Sequence, residues 1–199
     1  GEGARTADDA ARYLAHYEQA IAALARAAQP GHAVQENDGI SIKLSALHPR
    51  YEALQRERVL AELVPRVWSL CEQAARANIH LTMDAEEVDR LELSLEAFEA
   101  LAEQVAREFP QWHGFGLAMQ AYQTRALELV EHVVRTARRL GLRLMCRLVK
   151  GAYWDGEVKR AQERGRERRD LLRQILVAGR LVGQAFEAHV HRAQVQRDA

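Results

Sequence analysis

The chain has 199 residues, 48% of them apolar, with 28 acidic and 28 basic side chains. This length is enough for one domain with a substantial core. The balanced charge provides no basic field for nucleic acid, and no run of about 18 apolar residues predicts a membrane span. Cys71 and Cys146, both in apolar context, are typical of reduced thiols in a cytoplasmic protein.

The first predicted element is a helix over about residues 7–28, for which Thr6 and Asp9 form an N-terminal capping pattern. Because the residues before it are polar and run straight into this helix, we expect no signal peptide. Because Gly1 stands where an initiator Met would be, we expect a piece of a longer protein.

Four short apolar segments are predicted as strands: residues 39–47, 79–87, 114–122 and 142–153. Helical patterns separate them, over residues 56–78, 94–109 and 124–141. Pro65 predicts a kink or two shorter helices in the first of these, and Gly141 has the position of a helix C-cap. Strands separated by helices predict βαβ units and a parallel sheet.

Side-chain alternation gives each predicted strand an apolar face and a second face that ends in a polar group. In the first strand Ser41, Lys43 and Ser45 share the second face. Asp84, Gln120 and Arg147 have the same place in the other strands. In a doubly wound sheet, which helices cover on both faces, such polar groups would be hard to supply with hydrogen-bond or ionic partners. A closed barrel instead has its active site at the C-terminal ends of the strands. The fold class predicted is therefore α/β, with four consecutive βα units of a partial (β/α)8 barrel.

The placement of the lysines also indicates a site. The chain has only three, Lys43, Lys150 and Lys159, and two of them fall in strand-like segments. A strongly hydrated ammonium is seldom buried without a reason, although chance placement is the alternative. Arg147 and Lys150 lie in a segment that otherwise reads as a buried strand, where cations must be paired or face a wet site.

Four motifs carry a family resemblance: "GISIKLSALHPRYE", "LTMDAEEVDRLELSLE", "GFGLAMQAYQTRA" and "RLMCRLVKGAYWDGEVKRAQERG". Together they resemble the proline dehydrogenase domain of the bifunctional proline utilisation flavoenzymes, over roughly residues 1–165. The resemblance implies a distorted (β/α)8 barrel that binds FAD and oxidises L-proline to Δ1-pyrroline-5-carboxylate. The four predicted strands would be the second to fifth of that barrel.

The resemblance also implies roles for the polar strand-end residues. Lys43 would help to hold the proline carboxylate, with an ion pair to Asp84 alone as the alternative. Asp84 would form the floor of the active site near flavin and substrate; the alternatives are a structural carboxylate, or a solvated turn at "DAEE". Gln120 would bind the flavin, and Arg147 would lie close to flavin N5. We therefore expect Lys43, Asp84 and Arg147 to be the catalytic residues.

The turn after the fourth strand is implied to complete the site. The cofactor contacts expected from the resemblance are Asp84, Gln120, Arg147, Val149, Lys150, Gly151, Ala152 and Trp154, and the substrate contacts are Lys43, Ala152 and Tyr153. The partners it implies are L-proline and a quinone or other electron acceptor, with a homo-oligomer left open and no nucleic acid evident. The implied location is cytoplasmic, with a peripheral position on the inner membrane as the alternative.

Residues 166–199 depart from the family pattern and are predicted as a basic amphipathic helical tail. In this tail His189 and His191 are two residues apart on a helix and cannot share a face, so we expect no metal site. Missing from the pattern are four barrel strands, a His-Asn flavin site and the paired arginines that clamp the substrate carboxylate. We therefore expect a truncated enzyme with impaired activity. The alternatives are an inactive fragment or interaction module, and a Schiff-base enzyme using Lys43 or Lys150.

Overall fold

A computed structural model describes residues 3–29, 31–121, 123, 125–149, 159, 162 and 163. Among these residues the helices are α1 (Ala7–Ala27), α2 (Leu44–Leu47), α3 (Arg56–Arg76), α4 (Leu91–Glu108) and α5 (Ala126–Leu140). The strands are β1 (Ile40–Ile42), β2 (Leu81–Met83), β3 (Phe115–Gln120) and β4 (Met145–Val149). A short 3-10 turn precedes both α3 and α4.

The four strands form one sheet in the order β1-β2-β3-β4. β1 pairs with β2 and β2 with β3, both in parallel, so that Ile42 lies opposite Met83 and Met83 opposite Leu117. Helices connect the strands in sequence, as parallel pairing requires. The predicted α/β class is confirmed.

The chain divides into two compact units. The first comprises Gly1–Ala118 and Thr136–Arg147, and the second comprises Met119–Arg135 and Leu148–Ala199. In the first unit, α3 packs against both α1 and α4. Phe98 of α4 stacks on Phe115 of β3 with ring centroids 5.1 Å apart, and both rings are fully buried. The apolar core therefore lies between the helices and the sheet.

Two predicted helix ends are confirmed. The Thr6 side chain accepts a hydrogen bond from the Asp9 N–H, and the Asp9 carboxylate accepts one from the Thr6 N–H, which is a complete capping box at the start of α1. Gly141, just after α5, has a φ of 66°, in the left-handed region that favours glycine at this position.

The prediction of a continuous strand over residues 39–47 is wrong beyond β1. After Lys43 the backbone turns into the single helical turn α2, whose four residues are all buried, and the Ala46 N–H bonds to the Lys43 carbonyl oxygen. Ser45 is therefore not on the strand face that Ser41 and Lys43 share. Apolar side chains at Leu44, Ala46 and Leu47 fit a buried turn as well as a strand, so alternation could not separate the two.

Of the two outcomes expected at Pro65, the division into two shorter helices is also wrong, and the kink stays a prediction. α3 runs from Arg56 to Arg76 with Pro65 inside it. Proline cannot bond to the carbonyl of Ala61, four residues earlier. Both Ala61 and Pro65 are exposed, so water can satisfy that carbonyl without a break in the helix.

β4 is less buried than its sequence predicts. Its side chains are half-buried and Arg147 is exposed, because β4 stands at one end of the strand order. Its approach to β3 requires a glycine: a Cβ on Gly116 would lie 2.6 Å from the Met145 carbonyl oxygen. Within the part of the chain that the structure describes, no helix is long and apolar enough to cross a membrane.

Candidate active site

Three charged side chains meet at the carboxyl ends of the strands. Lys43 directly follows β1, Asp84 directly follows β2, and Arg147 lies in β4. The Lys43 Nζ is 2.8 Å from the Asp84 Oδ2, and the Arg147 Nη2 is 2.5 Å from the Asp84 Oδ1. One carboxylate thus binds a different cation with each of its oxygens.

The backbone explains why these side chains meet. The Asp84 N–H donates to the Ile42 carbonyl at 2.8 Å, which continues the parallel ladder and places Lys43 beside Asp84. The Lys43 N–H donates to the Tyr17 hydroxyl of α1 at 3.1 Å. The Arg147 Nη1 donates to the Ser41 Oγ at 2.5 Å. Ser41 and Lys43 therefore present the polar face that side-chain alternation predicted.

The cluster has a net positive charge and is partly exposed to solvent. The side chains of Lys43, Asp84 and Arg147 are 24%, 21% and 46% exposed, and two cations share one carboxylate. Water screens such charges less than on an open surface, so the pairs hold their geometry while the net charge still attracts an anion. The arrangement is suited to a carboxylate or phosphate ligand.

Two further predicted site residues belong to the second unit. Gln120 ends β3 and is buried, and its carbonyl accepts the Gln123 N–H at 3.1 Å. Val149 ends β4, and its carbonyl accepts the Ala121 N–H at 2.9 Å. Both stand at strand C-terminal ends, as predicted.

The remaining predicted site residues, Lys150, Gly151, Ala152, Tyr153 and Trp154, lie outside the described residues, as does the predicted tail over 166–199. Their roles stay predictions. Among the residues that are described, no group of His, Cys, Asp and Glu side chains could hold a metal ion.

A buried loop supports the cluster from the side of α3. The His48 Nδ1 accepts the Arg50 N–H at 3.1 Å, so Nε2 carries the proton and donates to Glu62 Oε2 at 3.2 Å. Burial is the main cause that lowers the pKa of His48, which keeps the ring neutral. The Arg66 Nη1 binds the Leu47 carbonyl at 2.9 Å and caps α2.

Sequence reasoning missed Glu86 as a member of the site region. Its side chain is buried, so the interpretation of "DAEE" as a solvated turn is wrong. Glu86 Oε1 accepts the Ser45 N–H at 3.0 Å, which links the segments that follow β1 and β2. The only sequence signal for Glu86 was its position two residues after Asp84, because its partner Ser45 lies 41 residues away in the sequence.

Parallel strands connected by helices, with charged side chains converging at the strand C-terminal ends, are typical of α/β-barrel proteins. The chain belongs to the proline dehydrogenase family, whose sequence model matches residues 1–171. The predicted family and the partial barrel are thereby confirmed.

Relatives and solved structures agree with this assignment. The chain is 50% identical over 167 residues to the bifunctional protein PutA of Salmonella typhimurium, a match that covers 84% of the chain and 12% of that relative. It is similar to a crystal structure of a mutant proline utilization A from Bradyrhizobium japonicum, with a TM-score of 0.78, 53% identity and coverage of 83% of the chain and 17% of that structure. It is also similar to a crystal structure of proline utilization A from Bdellovibrio bacteriovorus inactivated by N-propargylglycine, with a TM-score of 0.73 and 27% identity. That match covers 83% of the chain and 18% of that structure.

Proposed function

We propose that this chain contributes to the FAD-dependent oxidation of L-proline to Δ1-pyrroline-5-carboxylate. The observation that carries the proposal is the contact of Lys43 and Arg147 with the two oxygens of Asp84 at the strand C-terminal ends, in a chain of the proline dehydrogenase family. The chain spans 12% of the length of the curated PutA relatives, so their activity is proposed here and not transferred outright.

Lys43 is proposed to hold the substrate carboxylate. Its ammonium is anchored by Asp84 at 2.8 Å and its backbone by Tyr17, so the charge has a fixed position at the end of β1. A carboxylate gains most from a cation that is already oriented, since less freedom is lost on binding. The same ion pair argues against Schiff-base chemistry at Lys43, because a nucleophilic lysine must lose its charge.

Arg147 is proposed to hold the cofactor. Its guanidinium is nearly half exposed and fixed by Ser41 and Asp84, so it can add contacts to an anionic or polar ring system without losing its own support. These donors fit the polar edge of the flavin ring close to N5, where the resemblance places Arg147. When bound, FAD supplies the acceptor for the hydride that leaves the proline ring.

The remaining parts of the proposal derive from the family. Gln120, Val149 and residues 150–152 and 154 are proposed as cofactor contacts, and Ala152 with Tyr153 as substrate contacts. The proposed product is released to a cytoplasmic pathway, with a quinone or similar compound as electron acceptor. Residues 1–165 are proposed as the barrel part, and residues 166–199 as a separate helical tail.

We expect slow turnover by the chain alone, because its charged cluster is partly open to water. Electrostatic catalysis is strongest where water is excluded. An inactive or purely interacting chain is the alternative, and FAD binding distinguishes the two.

The test is a titration of the purified 199-residue protein with FAD, followed by flavin fluorescence. We expect saturable binding that Arg147→Met weakens at least tenfold. Arg143→Met, which changes an exposed arginine just before β4, should leave the binding unchanged. Arg147→Lys keeps a charge and should bind with intermediate affinity. No saturable binding by the folded wild-type chain, or equal loss in both methionine variants, would overturn the proposal.

A further inference from the structure

The segments that follow β1 and β2 are joined by two cross-links with the same spacing. Lys43 binds Asp84 through side chains, at 2.8 Å. Two residues further along each segment, the Ser45 N–H binds the Glu86 Oε1 at 3.0 Å. Since both links connect the same two segments, the second fixes the distance and direction that the first requires.

Glu86 is well suited to this task because its own position is fixed. Its side chain is 2% exposed, and its second oxygen, Oε2, accepts from the Arg90 Nη1 at 3.2 Å. A carboxylate can accept from both donors at once, and hydrogen bonds to a charged acceptor are the stronger kind. Loss of the carboxylate would leave the Ser45 N–H without its partner in a buried place.

A second layer of contacts holds Arg90. Its guanidinium lies over the Tyr51 ring, 5.6 Å from the centroid. The Ser94 hydroxyl donates to the Arg90 carbonyl at 2.9 Å, so its oxygen is left to accept from the Tyr51 hydroxyl at 2.6 Å. This chain of bonds ties the start of α4 to the loop that follows α2, and Glu86 lies between them.

We propose that Glu86 is a positioning residue that sets the Lys43–Asp84 pair by holding the N–H of Ser45. It acts through the backbone that carries Lys43 and does not touch substrate. Only the consequence for proline oxidation rests on the function proposed above; the positioning itself is a property of the folded chain.

The neighbouring Glu87 provides a matched control. Its Oε2 contacts the same Arg90 Nη1 at 3.3 Å, but its side chain is 39% exposed. Glu86 and Glu87 therefore share the partner Arg90, while the Ser45 N–H is bound by Glu86. Any effect that passes only through Arg90 should be similar for the two.

The experiment measures acetylation of Lys43 in the 199-residue protein by peptide mass spectrometry. With only three lysines in the chain, the exposed Lys159 serves as an internal reference. We expect Glu86→Met to raise the labelling rate of Lys43 relative to Lys159 about fivefold, since a weakened ion pair exposes the amine more often. Glu87→Met should leave the ratio unchanged.

Two further variants keep the test decisive. Asp84→Asn should raise the Lys43 ratio by itself, and adding Glu86→Met to it should produce little further increase, because the pair that Glu86 positions is already lost. If Glu86→Met does not fold, Glu86→Gln, whose amide accepts at only one end, should produce a smaller increase in the same direction.

An unchanged Lys43 ratio in a folded Glu86 variant, or an equal rise in the Glu86 and Glu87 variants, would overturn the positioning role. Flavin binding measured on the same samples separates the two proposals. Altered labelling without FAD binding in any variant would contradict the proposed function alone. FAD binding with unaltered labelling would contradict the positioning role alone.

Discussion

Asp84 has the most consequential position of the residues described, because two cations from different strands depend on its carboxylate. Lys43 and Arg147 each bind a separate oxygen, so neither cation competes with the other for its partner. Each also has a second anchor, Tyr17 for the Lys43 backbone and Ser41 for the Arg147 side chain. The pair of cations is thus held apart at a defined spacing, which an anionic ligand can bridge.

Tyr17→Phe tests the anchor of Lys43. The change removes the oxygen that accepts the Lys43 N–H and keeps the ring. We expect the free energy of unfolding to fall by about 1 kcal/mol, the usual net worth of one hydrogen bond. Urea denaturation measures the change, and Tyr13→Phe on the same helix serves as the control. An effect no larger than that of the control would show that this bond contributes nothing.

The thiols should differ in reactivity according to burial. Burial raises the pKa of Cys146 to about 11 and raises that of the fully buried Cys71 further. Only the thiolate attacks a disulfide reagent, so the rate for Cys146 should rise about tenfold per pH unit between pH 7 and 10. Cys71 should react only after unfolding. Reaction with Ellman's reagent, followed at several pH values, measures both; a fast phase at pH 7 in the native protein would contradict this expectation.

At the scale of elements, α2 is the feature that separates this structure from a simple alternation of strands and helices. Its buried turn carries Lys43 at one end and His48 at the other, and it is bound by Glu62 and Arg66 of α3 and by Glu86. A four-residue helix has too few internal bonds to be stable alone. Its conformation therefore depends on these neighbouring elements.

His48→Asn tests this dependence through pH. Burial, ahead of the opposing effect of Glu62, lowers the pKa of His48 below its ordinary value of 6.5. A lowered pKa contributes stability that is present above pH 6.5 and is lost as the pH falls, because the unfolded chain binds a proton that the folded chain resists. The wild type should lose stability between pH 7 and 5 more steeply than His48→Asn, which retains an acceptor for the Arg50 N–H.

Urea unfolding at several pH values provides the measurement, and His32→Asn, at an exposed position, is the control. The facing charges Arg58 and Arg66 disfavour the protonated ring and Glu62 favours it. The pKa of Glu62 is lowered mainly by Arg58, and it titrates below this range. Equal slopes for the wild type and His48→Asn would mean that His48 takes up its proton without unfolding α2.

The sequence predicted the sheet and the convergence of Lys43, Asp84 and Arg147 more accurately than it predicted the connections between the elements. Alternation placed Lys43, Asp84 and Arg147 on one face because a strand has a strict period of two and the ladder keeps neighbouring strands in register. The turn at α2 and the role of Glu86 were not predictable in this way. Both depend on a bond between residues 45 and 86, and local pattern contains no information on such a distant partner.

At the scale of the whole molecule, the described strands form part of a barrel and β4 remains half-buried. A complete (β/α)8 barrel surrounds its active site with eight loops. The side chains of Lys43, Asp84 and Arg147 are 24%, 21% and 46% exposed, and a site that is open to water stabilises charge less well. For this reason we expect proline turnover well below the common enzyme rate, on the order of 10 per second.

We propose that proline reacts at the Lys43–Asp84–Arg147 cluster. The most direct measurement is anaerobic mixing of L-proline with the FAD-loaded 199-residue protein, followed by the loss of flavin absorbance. We predict slow, proline-dependent bleaching that Asp84→Asn reduces at least a hundredfold, while Asp89→Asn, an exposed carboxylate nearby, leaves the rate unchanged. Bleaching by Asp84→Asn at the wild-type rate would contradict the account, and so would turnover by the wild-type chain near 10 per second.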